Sequence, residues 1–253
     1  MHGRRRDFLV AATGVGLGGL GGFAAALLAA QPRLPLPKRR EAAAATETKT
    51  EADEPNSPPE DLMLGHAVQE RLLGIYEELA ERLRAPQDQR APTLLRQAAT
   101  LVRNLYEDLH QRLEEEYIFP QFENHAQLGP LVKALKAQHA AGRQVTDSIL
   151  QALGAAGGSA GGGVAPPVPA ARVPLAQACR ATIRLHRPHM AREATELFQA
   201  LYDVLPSAAL DHMAEKFEKK QDAVLGDEGF KEPLAQIAGI EKELALYELR
   251  VQP

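Results

Sequence analysis

Two short stretches carry residues that could do chemistry. In "HQRLEEEYIFP", residues 110–120, Glu114 follows His110 at i+4. In "HMAREATELF", residues 189–198, Glu193 follows His189 at the same spacing. On a helix, residues four apart share a face, so each stretch would present an imidazole beside a carboxylate. If that face looks into a core, an unpartnered carboxylate is heavily penalised or stays protonated. A cation between the groups removes the penalty, and imidazole with carboxylate suits iron or manganese. The other reading is solvated decoration on a surface helix.

The surrounding sequence is helical. The chain has 253 residues, 45% hydrophobic and only 5% aromatic, with no Trp, and Ala, Leu, Glu, Gln and Arg dominate. A first helix opens at Ser57 or Pro58, with Glu60 and Asp61 at the positive end of its dipole and a stripe of Leu62, His66, Leu73, Tyr76 and Leu83. A second, residues 91–119, carries Leu95, Val102, Tyr106, His110, Glu114 and Tyr117 before Pro120 ends it. A third, residues 128–153, shows Val132, Leu135, His139, Gly142, Thr146 and Ile149. The fourth, residues 175–205, shows Cys179, Thr182, His186, His189, Glu193 and Leu197, and Pro188 inside it predicts a kink.

Every one of these stripes is interrupted by histidine. One such histidine is usually a satisfied core residue; four helices each supplying one, two with a carboxylate a turn later, point to a metal. The predicted fold is all-α: an up-down four-helix bundle with inward ligands, and additional C-terminal helices near 207–225 and 229–249 on its outside. Six side chains are too many for one tetrahedral zinc and fit two octahedral ions bridged by two carboxylates. On this reading His110 and Glu114 are metal ligands.

The rest of the chain bounds the function. A net charge of −4 provides no electrostatic reason to expect nucleic acid. The lone cysteine, Cys179, excludes a disulfide framework and a thiolate metal cage, and reads as a small buried hydrophobe. The start, "RRRDFLV", runs into a weakly apolar stretch over 8–30 that holds six glycines between Gly14 and Gly22. It looks like a twin-arginine (Tat) export signal, with a retained membrane anchor as the alternative. The expected organisation is a signal or anchor over 1–30, a disordered tether over 31–56, and the bundle over 57–205 with a flexible Gly/Pro loop at 154–172. A helical extension over 206–253 completes it. The expected location is exported, periplasmic or otherwise extracytoplasmic, touching a membrane only through an uncleaved N-terminal segment.

At four stretches, "PPEDLMLGHAVQERLLGIYEE", "HQRLEEEYIFP", "LVKALKAQHAAGRQVT" and "LHRPHMAREATELF", the chain resembles the hemerythrin-like (HHE cation-binding) domain family. The resemblance spans about residues 57–205. Carried over by position, it implies His66, His110, Glu114, His139, His189 and Glu193 as metal ligands, with the glutamates bridging. It implies a non-haem centre of two iron ions (Fe2+/Fe3+), open to an oxo or hydroxo bridge, and O2 as the partner molecule. The chain departs from respiratory hemerythrin in two places: Arg143 stands where a second histidine of the third helix would be, and His189-x-x-x-Glu193 replaces a His-x-x-x-x-Asp. These departures leave an additional open position, which suits peroxide or nitric oxide chemistry as readily as O2 storage. A carrier, an enzyme on the same site and a metal-free helical adaptor all stay open.

Several neighbours have lesser roles. His186, a turn before His189, is an extra ligand, an outer hydrogen-bond donor, or a partly exposed residue beside Pro188. Arg143 is placed to pair with a bridging carboxylate, and Glu115, off the His110 face, to be solvated or to hydrogen-bond a ligand from outside. His125 and His212 read as surface residues, and Tyr76, Tyr106 and Tyr117 as core packing.

Overall fold

The first helix starts where its sequence dictates. Pro58 occupies the opening position, and the Ser57 N–H donates to the Glu60 carboxylate at 2.9 Å. The computed structural model describes residues 56–85, 87–154, 169–226 and 228–247. Six helices lie within them, with no strand among the described residues. These are α1 (Pro58–Arg82), α2 (91–118), α3 (Gly129–Ala152), α4 (169–204), α5 (Ser207–Leu225) and α6 (Lys231–Glu243). The chain is all-α, as its sequence predicts. The predicted signal or anchor, nearly all of the tether and most of the Gly/Pro loop lie outside the described residues. Among those described, no helix is long and apolar enough to cross a membrane.

Helices α1 to α4 close a ring, each packing on the next and α4 returning to α1. Neighbouring helices run antiparallel, as the order of their contacts shows. Along α1 and α4, Glu70 and Glu77 meet Arg187 while Glu81 meets Arg180. Along α2 and α3, Glu115 meets His139, Glu107 meets Thr146 and Arg103 meets Asp147. Asp88 starts α2 by accepting the backbone N–H groups of Arg90 and Ala91 at 3.0 and 3.2 Å.

The core has two large apolar blocks and a small third one of Leu73, Tyr106 and Met190. One holds Leu72, Leu79, Leu95, Val102, Ile149 and Cys179, with Ile237 and Ile240 of α6 against it. The other holds Leu62, Leu113, Phe119, Leu135, Leu197 and Phe198, with Met213 and Phe217 of α5. Along α1, α3 and α4 the candidate ligands fall between these two large blocks, whereas on α2 His110 and Glu114 alternate with Leu109 and Leu113 of the second block. Burial pushes the Cys179 thiol up to about 12, so it behaves as the inert hydrophobe its surroundings predict.

Two features depart from regular α-helix. α2 contains π-helical turns at Val102–His110 and Glu114–Ile118, and α4 contains one at Glu193–Leu197. Each candidate bridging glutamate therefore begins a wide turn: the Phe119 N–H reaches the Glu114 carbonyl, and the Phe198 N–H reaches that of Glu193. The second departure is proline inside the fourth helix: Pro174 and Pro188 both lie within helical structure that runs from Pro169 to Arg192, so Pro188 does not end the helix.

Candidate metal centre

The structure brings His66, His110, Glu114, His139, His189 and Glu193 together in the bundle interior, all of them buried. They fall into two overlapping sets, His66–His110–Glu114 and Glu114–His139–His189–Glu193. Glu114 belongs to both. Its Oε1 lies 3.1 Å from His110 Nε2 and 3.8 Å from His66 Nε2, while its Oε2 lies 3.4 Å from His139 Nε2. Glu193 Oε2 also spans the sets, 3.3 Å from His66 Nε2 and 3.1 Å from His189 Nε2. Each half of the chain thus sends its carboxylate across to the other half's single histidine.

The aromatic packing repeats that crossing. Phe198, five residues after Glu193, stacks on His66 at 5.3 Å, and Phe119, five after Glu114, covers His139 at 5.2 Å. On the opposite side, Gly65 leaves room for the His110 ring. A Cβ at Gly65 would stand 2.3 Å from His110 Nδ1. A Gly65→Ala chain should lose about 1–3 kcal/mol in chemical unfolding and retain less metal, because the ring must leave its place. Unchanged metal content would contradict this.

Groups outside the cluster aim the imidazoles. Glu115 lies 2.9 Å from His139 Nδ1 and is itself held by Arg143 at 2.7 Å. The Gln138 side-chain oxygen lies 2.9 Å from His189 Nδ1. Engaging Nδ1 in this way turns Nε2 inward, the arrangement by which proteins orient metal-bound histidine. The His139 and His189 Nε2 atoms are 3.1 Å apart, close to the spacing of about 3 Å between adjacent ligands on one ion with bonds of about 2.1 Å. Glu115→Ala should weaken metal affinity by about 10–100-fold in a chelator competition. Equal affinity would show that Glu115 is not steering His139.

The electrostatics favour a cation. Burial opposes ionisation of Glu114, yet the His110 and His139 imidazoles outweigh it and hold the carboxyl well below its ordinary range. Burial, reinforced by the charge of Glu114, pushes Glu193 up to about 8. Burial also works against the His139 cation, but Glu114 and Glu115 more than offset it and raise that group to about 9. By contrast, burial lowers His66, and takes His189 down to about 4. Protons on Glu193 and His139 thus occupy the cluster at neutral pH. Despite the short separations, His66 Nε2, His110 Nε2 and all four glutamate oxygens lack a hydrogen-bonding partner. A divalent ion would satisfy them together, so the residues present fit a metal.

Other expectations need correction. Arg143 does not pair with a bridging carboxylate; it holds Glu115, with the Glu107 carbonyl 3.4 Å away. For Glu115 the solvated reading fails and the other holds: it is half-buried and meets the candidate ligand His139 from outside the cluster. His186 is 1% exposed, which removes the surface reading. Neither of its ring nitrogens has a partner, Tyr106 meets it edge-on, and burial drives it down to about 3. His125 is half-buried and accepts the N–H groups of Gln127 and Leu128 at the start of α3, whereas His212 is exposed. Tyr76 and Tyr106 are buried as expected, while Tyr117 lies partly exposed under Lys216 and Lys220.

Sequence reasoning missed the buried Gln69, Glu107, Gln111 and the orienting Gln138. Glu107 accepts from Thr146 at 2.6 Å and meets Arg103 at 3.1 Å. Glu107 precedes Glu114 by seven residues and Gln69 follows His66 by three, so helical spacing was the available signal.

Six described helices, with crossed His/Glu pairs inside a four-helix core, define a helical cation-binding architecture. The chain belongs to the Hemerythrin HHE cation binding domain family, which it matches over residues 57–238. It is also similar to the uncharacterized protein Rv1995 of Mycobacterium tuberculosis, at 40% identity over 203 residues, covering 80% of this chain and 76% of that one. The uncharacterized protein Mb2018 of Mycobacterium bovis matches to the same extent. No solved structure is a significant match to the chain.

Proposed function

We propose that the His/Glu cluster holds two iron ions and that the protein uses them to bind O2 or a related small molecule such as peroxide or nitric oxide. The observation that carries this reading is Glu114, whose two oxygens address different histidines. A carboxylate so placed joins two cations better than it serves one. Four imidazoles and two bridging carboxylates fill about eight of the twelve positions on two octahedral ions. Iron would supply an open coordination site and a change of oxidation state there.

The chain's own residues do the remainder. Glu115 and Gln138 fix the imidazole orientation, Phe119 and Phe198 shield His139 and His66, and the apolar blocks on either side exclude water. The unfilled positions equally favour turnover of peroxide or nitric oxide, which is the second reading. A metal-free adaptor is disfavoured because it leaves buried carboxylate oxygens without partners. Export is part of the same proposal and is supported by the twin-arginine start, which lies outside the described residues.

Anaerobic reconstitution with Fe(II), metal analysis and a visible spectrum on exposure to air test the proposal. About two irons per chain and a new absorption band are expected. A reversible band identifies carriage, and rapid peroxide consumption identifies catalysis. Protein that never takes up iron overturns both readings.

A further inference from the structure

A narrow cleft runs inward between α1 and α2, with Gln221 of α5 and Phe230, just before α6, at its outer end. Its free volume is about 20 Å3, enough for one water-sized molecule, and it ends at His110 and Tyr106. Much of its wall is leucine and valine, and no lysine or arginine lines it. Two polar groups in the wall stand out. Gln69 is 1% exposed with neither its amide oxygen nor its amide nitrogen partnered, and the buried Tyr106 hydroxyl makes no well-formed hydrogen bond, with only the Gln111 side chain beside it. Buried polar groups are seldom left this way unless a water or ligand completes them.

We propose that this cleft is the entrance to the metal centre and a docking position for one small neutral molecule that both donates and accepts hydrogen bonds, held between Gln69 and Tyr106 beside His110. The Gln69 amide offers both a donor and an acceptor, and the Tyr106 hydroxyl offers the same. An apolar gas would leave all of them unsatisfied, and an anion would meet no positive side chain. Asp61 at the mouth points the same way, since its carboxylate would repel an anion. Phe230 packs against both large apolar blocks, so the C-terminal helices set the width of the entrance. The proposal rests on the metal reading only for the destination of the molecule.

The test uses the full chain with hydrogen peroxide as probe. In stopped-flow mixing of iron-loaded protein, Phe230→Trp should slow the spectral change about tenfold and Gln69→Leu should weaken saturation by a similar factor. Nitric oxide, which needs no hydrogen-bonding pair, should be insensitive to Gln69→Leu. A second readout needs no metal. In the apoprotein, Gln69→Leu removes an unpartnered amide from a dry wall, so the thermal midpoint should rise or hold. A lowered midpoint would mean the amide has a structural role and would overturn the proposal. So would peroxide kinetics unchanged in both variants at full iron content. If no chain loads iron, the metal reading fails and the apoprotein midpoint still decides the cleft.

Discussion

A Glu114→Ala chain should lose both metal positions, not one. Each oxygen of Glu114 faces a different set of histidines, so truncation removes a ligand from each half of the centre at once. Losing an orienting group outside the ligands costs about 10–100-fold in affinity, so losing a shared ligand should exceed about 100-fold. Metal analysis should then fall from about two ions per chain to well below one. Glu116→Ala is the control: Glu116 is exposed and pairs with Lys220 on α5, so metal content should be unaffected. Misfolding is separated from ligand loss by Glu114→Gln. That change keeps the side-chain shape but removes the charge that supports the protonated His139, so the apoprotein should melt lower yet keep its native helix content, while metal still falls. Full metal content in the alanine variant would remove Glu114 from the centre.

The second large effect is on pH dependence. Without metal, His186 and His189 stay neutral in the folded chain down to about 3 and 4, whereas an unfolded histidine protonates near 6.5. Their contribution is present above about 6.5 and is lost as pH falls below it. Glu193 and His139 act in the opposite sense. Raised to about 8 and about 9, they hold protons that the unfolded chain has released, so their contribution is lost as pH rises through those values. The apoprotein should therefore be most stable near pH 6.5 and weaken in both directions, by up to about 1.4 kcal/mol per pH unit for each net proton. Metal loading at about pH 7.5 should expel close to two protons per chain, since Glu193 and His139 must give them up to coordinate. Denaturant melts across pH, and indicator-dye titration during loading, measure the two halves. A flat stability profile from pH 6 to 9 with no proton release would contradict the buried-pair electrostatics.

Much of this protein is legible from local rules. The four bundle helices follow from apolar spacing and from end signals such as Ser57–Glu60 and Pro120, which act within one or two turns. The two His-x-x-x-Glu pairs are equally local, since residues four apart on a helix must be neighbours. Face assignments falter along α2, where π turns shift the register that a 3.6-residue period assumes. That is one physical reason the sequence leaves Glu115 open between a solvated place and the contact it makes with His139.

By itself the sequence determined which residues could act as ligands and which helices would carry them, because periodicity, capping and residue chemistry are properties of neighbours along the chain. Tertiary structure alone decided the crossing of carboxylates, with Glu114 reaching His139 and Glu193 reaching His66. It also decided the burial of His186, the partnering of Arg143 with Glu115, and the unpartnered Gln69 beneath Phe230. Those outcomes depend on the rotation and register of helices distant in sequence, which packing of the whole bundle sets.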